Sequence, residues 1–225
     1  RSHCFHPSFC QSKEPISLPD PKPARVPLDE IFNQKFTFLS SGNQSYAFLS
    51  ADGQYVLKLV KFHTTSGKKL DRVLNGFSLA DRIHPEHQGW IYLHLPDATQ
   101  NLKKLHLIDR AGMKRSLDLN PLFFAVQRKA ELSKSYLSAL SNEERKEKLQ
   151  LLLQMIEEDL AAGLWDQDHN VLHNTGFIGG TPIRIDVGKL TYSEEMKDPQ
   201  KIAQEIKKIE TERVSPFVKK FSNPP

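Results

Sequence analysis

Two apolar runs, Tyr46 to Ser50 and Tyr55 to Phe62, lie on either side of an Asp52-Gly53 step. No other feature constrains the chain as much. Aspartate and glycine tolerate the positive φ that a tight reversal between strands requires, so the region reads as a hairpin and the chain must build an antiparallel sheet. Further strands are expected at Phe36 to Leu39, Leu105 to Asp109, Ser116 to Leu119 and Leu122 to Gln127, with a turn around Ala111-Gly112. Between these groups Leu70, Val73, Leu74, Phe77 and Ala80 recur every three or four residues. That spacing predicts one helix with a buried stripe, ending near His84-Pro85.

The second half changes period. Ser141 and Glu144 have the spacing of a capping box, and Leu149, Leu152, Leu153, Ile156 and Leu160 form the stripe of a long helix that Gly163 can close. A polar stretch from Leu164 to Asn174 leads into a hairpin, Phe177-Ile178 with Pro182 to Ile185, turned by Gly179-Gly180 and ending in Ile185-Asp186-Val187-Gly188. A last helix starts at Asp198-Pro199 and buries Ile202, Ala203, Ile206 and Ile209. Residues 1–30 hold six prolines and little periodicity, so they read as an extended arm. The expected class is α+β, with that arm, a sheet-rich lobe over 31–129 and a reduced, mostly helical lobe over 130–225.

At 225 residues, 38% hydrophobic and 26% charged, the chain can bury a core as one large domain or two small lobes. Disordered, collagen-like and disulfide-dense classes are excluded. The 31 basic residues are interspersed with 27 acidic ones, giving +4 without a basic stripe, so no nucleic-acid partner is expected. No apolar run approaches the roughly 18 residues of a membrane span. Starting at Arg1 without a signal-peptide core, the chain reads as a processed or truncated form. Cys4 and Cys10 neighbour His3 and His6 but lack C-x2-C and H-x3-H spacing, so they read as incidental thiols.

Three features carry chemistry, and their order matters. Ser41-Gly42-Asn43-Gln44-Ser45 is a turn with one glycine and small polar neighbours, which suits a close approach of backbone to phosphate and equally an ordinary loop. Lys58 shares a strand face with Val56, Val60 and Phe62, so it needs an anion, snorkels, or guards a sheet edge. Asp166, Asp168, Asn174 and Asp186 concentrate side-chain oxygens, the donors that magnesium prefers, though loop capping uses the same residues. An EF-hand is excluded, because Val171 stands at the loop's glycine position and Phe177 at its bidentate acid.

Taken in order over residues 36–190, these features resemble an atypical, minimal member of the protein-kinase-like family, a bacterial-type kinase or pseudokinase, with aminoglycoside-phosphotransferase-like relatives. Ser40 to Ala47 is similar to the glycine-rich loop, keeping Gly42, and Val56-Leu57-Lys58 to the strand bearing the phosphate-binding lysine. Asp166-Gln167-Asp168 occupies the place of His-Arg-Asp, Asn174 that of the metal-binding asparagine, and Asp186-Val187-Gly188 that of Asp-Phe-Gly.

The resemblance implies a two-lobed kinase-like fold that binds ATP and Mg2+. Gly42, Ser45, Lys58, Val126 and Gln127 would meet the nucleotide, Asn174 and Asp186 the metal, and Asp168 or alternatively Asp166 would be the catalytic base. It also implies an acidic partner for Lys58, for which Glu86 is chosen over Asp71 and Asp81 because of its longer side chain. Departures are specific: Asp168 precedes Asn174 by six positions where the pattern has five, and only 37 residues follow Gly188, with no Ala-Pro-Glu and no substrate platform. Two functions follow, a phosphotransferase acting on an acceptor hydroxyl, or a pseudokinase-like module that holds a protein partner with or without nucleotide. A different α+β domain with coincidental motifs remains the third reading.

Overall fold

The computed structural model describes residues 5–12, 15–96 and 102–222. It is a mixed α+β structure. Seven strands, β1 (Phe36–Ser41), β2 (Ser45–Ser50), β3 (Tyr55–Val60), β4 (Trp90–His94), β5 (Leu105–Ile108), β6 (Lys114–Leu117) and β7 (Phe124–Arg128), form a sheet in the order β4-β7-β3-β2-β1-β5-β6. All neighbours are antiparallel except β1 and β5. The β2–β3 reversal is the expected one: Gly53 has φ 74, and the Asp52 carboxylate accepts the Ser50 hydroxyl and the Gln54 N–H.

Short helix α1 (Leu28–Phe32) precedes the sheet, and α2 (Gly67–Arg82) connects β3 to β4. Val73, Leu74, Phe77 and Ala80 of α2 pack on one sheet face with Val60, Leu93 and Ala125. The other face, carrying Phe48, Leu57, Leu59 and Phe124, is covered by the proline-rich arm, whose Phe5 and Cys10 are buried. Phe5 stands edge-on to Tyr46 and Phe48, with ring centroids 5.1 Å apart in each pair. Cys10 is a free thiol that burial pushes up to about 12, so it acts as a small hydrophobe; Cys4 and His3 lie outside the described residues.

The sequence reading misses β4. Trp90-Ile91-Tyr92-Leu93 shows no alternation because both faces are covered and a bulge falls between Trp90 and Tyr92: Tyr92 packs with the arm, Trp90 and Leu93 with α2.

Beyond β7 the chain forms β8 (Glu131–Leu132), α3 (Ser133–Ser138), α4 (Asn142–Ala161), β9 (Leu164–Asp166), α5 (Val171–Asn174), β10 (Thr175–Ile178), β11 (Thr181–Arg184), β12 (Leu190–Tyr192), α6 (Pro199–Ile209) and α7 (Ser215–Ser222). The small sheets β11-β10-β8 and β12-β9 stand beside a separate helical core built on Leu152, Ile156, Phe177, Ile202 and Phe217. The capping box of α4 forms in both directions, Ser141 Oγ accepting the Glu144 N–H and the Glu144 carboxylate accepting the Ser141 N–H. Gly163 closes that helix at φ 81, and Asp198 caps α6. Among the described residues no helix is long and apolar enough to cross a membrane.

Candidate functional site

Register fixes where Lys58 points. Paired with Ala47 on β2 and Ala125 on β7, it leaves the sheet on the face of Val56 and Val60, towards the α2 side, while Leu57 and Leu59 face the arm. Its ammonium donates to the Ile185 carbonyl, one residue before Asp186. Burial pushes the Lys58 ammonium down to about 8, against the attraction of Asp186. A cation this depressed is short of counter-charge, the environment an anionic ligand completes.

Around it lies a cleft of about 390 Å³, within the range of small-molecule sites. The β1–β2 hairpin supplies Gly42, Asn43, Gln44 and Ser45, and the crossover from β7 to β8 supplies Gln127, Arg128, Lys129 and Ala130. Leu39, Ala47, Val56, Leu132 and Ile185 give it apolar surface, while Asp168, Asp186 and Lys189 give it charge. The hairpin is held down at two places. Lys61 Nζ donates to Ser41 Oγ at 2.6 Å and to the Gly42 carbonyl at 2.5 Å, and Gln44 packs so closely on Gly188 that a Cβ there would overlap the Gln44 amide.

The opposite wall is organised by Asn174. Its backbone carbonyl accepts both the Ile185 N–H at 2.7 Å and the Asp186 N–H at 3.1 Å, and its side-chain amide donates to the Asp168 carbonyl at 3.4 Å. Asn174 is therefore buried between Asp168 and Asp186, behind the cleft wall. Asp186 is exposed at the cleft, its carboxylate accepting the Gly188 N–H at 3.1 Å. Asp186 and Asp168 bring carboxylate oxygens, the donor type a hard cation prefers, to the cleft, with the Asn174 side chain behind them.

The two candidate bases separate cleanly. Asp168 faces the cleft and accepts a hydrogen bond from Lys189 Nζ at 2.8 Å, which holds its carboxyl below the usual carboxylate range. Asp166 turns away. Burial raises its carboxyl, opposed by Arg184, whose Nη1 lies 2.9 Å from it. Arg184 is 3% exposed and reaches Asp159 through Nη2 at 3.0 Å; Asp159 in turn lies 2.9 Å from His87 Nδ1. Asp166 thus belongs to a buried ion network and takes no part in the cleft.

Two further expectations need correction. Glu86 does not reach Lys58: it sits in the turn between α2 and β4, bonded to His84 at 3.1 Å, because the chain reverses there instead of continuing as helix. Neither acid of α2 replaces it, since Asp81 is taken by Arg25 and the Lys22 N–H, and α2 approaches the Asp186-Val187-Gly188 segment with Gly76, where a Cβ would collide with the Val187 carbonyl. Val126 is fully buried among Leu57 and Tyr92 and does not line the cleft; Gln127 does, donating to the Gln88 carbonyl at 2.7 Å. The crossover backbone facing the cleft is accordingly 127–130. Sequence reasoning missed Lys189 and Arg184. The latter carries a readable signal, a charge within an apolar hairpin strand that demands a partner.

No family model and no curated protein matches this sequence. Among solved structures the chain is similar to a crystal structure of WbdD, with TM-score 0.43 and 15% identity over 84% of this chain and 38% of that one. It is also similar to a GDP complex of a mutant aminoglycoside 2'-phosphotransferase-IIIa, with TM-score 0.29 and 19% identity over 56% of this chain and 35% of that one. The chain thus spans well under half the length of either structure.

Proposed function

We propose that the chain is a reduced, two-lobed kinase-like protein that binds ATP with Mg2+ in this cleft and transfers the terminal phosphoryl group to an acceptor hydroxyl. One observation carries the reading. A half-buried lysine from β3 meets the Ile185-Asp186 segment across a cleft roofed by a glycine-bearing hairpin, with Asp168 on the same wall. The magnesium nucleotide would supply the electrophilic phosphorus and neutralise charge on its oxygens.

The chain's own residues bind and orient. Lys58 fixes an anionic group, which restores the counter-charge it lacks. Asp186 and the Asn174 amide offer oxygens to a cation, and Asp168, kept ionised by Lys189, accepts a hydrogen bond from the acceptor hydroxyl and aligns it. Leu39, Ala47, Val56 and Leu132 offer apolar surface to a planar base, and the 127–130 backbone offers it polar groups. These are positioning and charge-stabilising roles, the main requirements of phosphoryl transfer.

A second reading is a nucleotide-holding module without transfer activity. It is favoured by the absence of any α2 acid facing Lys58, since that helix packs by Gly76 instead.

The test is thermal unfolding with ATP and MgCl2, added separately and together. At about 100 times Kd the expected gain is about 2.7 kcal/mol, which requires both additions and is lost in Asp186→Asn. No shift with either or both removes the nucleotide reading. A shift without phosphoryl transfer to water or protein selects the module.

A further inference from the structure

On the turn between α2 and β4 three potential ligands crowd together outside the cleft. His84, Glu86 and His87 each present a ligand atom, and these atoms all lie within 4.8 Å of one another. Nδ1 of His84 is 3.1 Å from Oε1 of Glu86, and the two imidazoles stack with centroids 4.7 Å apart. His84 has φ 43, a left-handed conformation uncommon for a residue other than glycine.

The surroundings favour ligation. Asp159, fully buried, lies 2.9 Å from His87 Nδ1 and so fixes that ring's orientation, leaving Nε2 as the ring nitrogen for ligation. A carboxylate behind a histidine is the usual second layer of a metal site. Glu158 Oε2 lies 3.3 Å from the same Nε2 and is the nearest carboxylate for a fourth position. Separations of 3.1 and 3.3 Å are also close to the edge of a tetrahedron with metal–ligand bonds of about 2.0–2.1 Å, roughly 3.3 Å. Two imidazoles with carboxylate oxygens suit a borderline ion better than the hard cations that all-oxygen sites select.

We propose that His84, Glu86 and His87, with Glu158 completing the set, bind a divalent ion of the zinc class. The site would fasten the α2–β4 turn to the C-terminal end of α4. From Asp159 the ion network continues through Arg184 to Asp166, whose carboxylate accepts the Asp168 N–H, so the bound ion would be anchored to the segment that shapes the cleft.

The experiment is competition between the full chain, stripped with a chelator, and a chromophoric zinc indicator, with Co2+ absorption as a second readout. The comparison is His84→Asn combined with Glu86→Gln, substitutions at side chains 35% and 65% exposed, the first to a residue that tolerates left-handed backbone. Expected are one equivalent bound by the wild-type chain, a tetrahedral Co2+ spectrum, and an affinity at least about tenfold weaker in the double variant. Asp186→Asn should retain the equivalent, which separates this site from the cleft. Absence of binding to the wild-type chain, or equal affinity in the folded double variant, overturns the proposal.

Discussion

Lys58 illustrates how a single side chain can trade stability for readiness to bind. Its ammonium is depressed to about 8 by burial, below the 10.5 of the free group. Below pH 8 both folded and unfolded chains carry the proton, and the folded state bears the full cost of a poorly compensated charge. Between pH 8 and 10.5 the unfolded chain holds more protons, so this cost is relieved as pH rises. Lys58→Met should therefore be more stable than wild type at pH 7, by roughly 1–2 kcal/mol after allowing for the lost bond to the Ile185 carbonyl. The gap should narrow at pH 10. Chemical denaturation at the two pH values measures it, and a variant less stable at pH 7 would mean that the lysine is a structural fixture. The same variant should lose the joint effect of ATP and magnesium. At this scale the sequence singled out Lys58, Asp168 and Asp186, and the structure brings all three to one cleft. The sequence could not reveal Lys189 as the partner of Asp168, because that pairing depends on how β12 returns alongside β9.

Elements with strong local signals were readable in advance: the Asp52-Gly53 hairpin, the α4 capping box, the Gly179-Gly180 reversal and the Asp198 cap all form where spacing and turn chemistry place them. What escaped is determined at a distance. β4 is buried on both faces, which erases alternation, and the parallel pairing of β1 with β5 joins segments that share no turn. Helix α2 was legible as a stripe, whereas its closest approach was not. Gly76 lets the helix backbone come down on the Val187 carbonyl, so the helix and the Asp186-Val187-Gly188 segment are in close backbone contact. Gly76→Ala should lever them apart. The clash is with backbone, which cannot rotate away, and the expected loss is about 1–3 kcal/mol, despite alanine's better helix propensity. A melting temperature equal to wild type would show that α2 can slide freely.

Across the whole molecule, the buried network Asp166–Arg184–Asp159–His87 joins α4, the β10–β11 hairpin, the end of β9 and the α2–β4 turn. The Arg184 N–H also bonds the His87 carbonyl at 2.6 Å. Asp159→Ala would leave Arg184 with one of its two carboxylates and His87 with none at Nδ1. The expected cost is about 3–5 kcal/mol, with the sheet-bearing and helical parts losing their common unfolding transition in urea. A single transition at the wild-type midpoint would contradict the assignment of this network as the main polar tie between them. None of this network was visible in the sequence, where the four residues span distant segments and only Asp166 was singled out, as an alternative base.

The arm carries a consequence for the order of assembly. Its Gln11 bridges to Leu122 at the entry to β7, and Phe5 and Cys10 close the face on which Leu57, Leu59 and Phe124 lie. Residues 5–12 leave the ribosome long before their docking surface exists, so a segment made early must wait, unburied, for the last strand of the sheet. Until then that apolar face stays open to chaperones and to neighbouring chains.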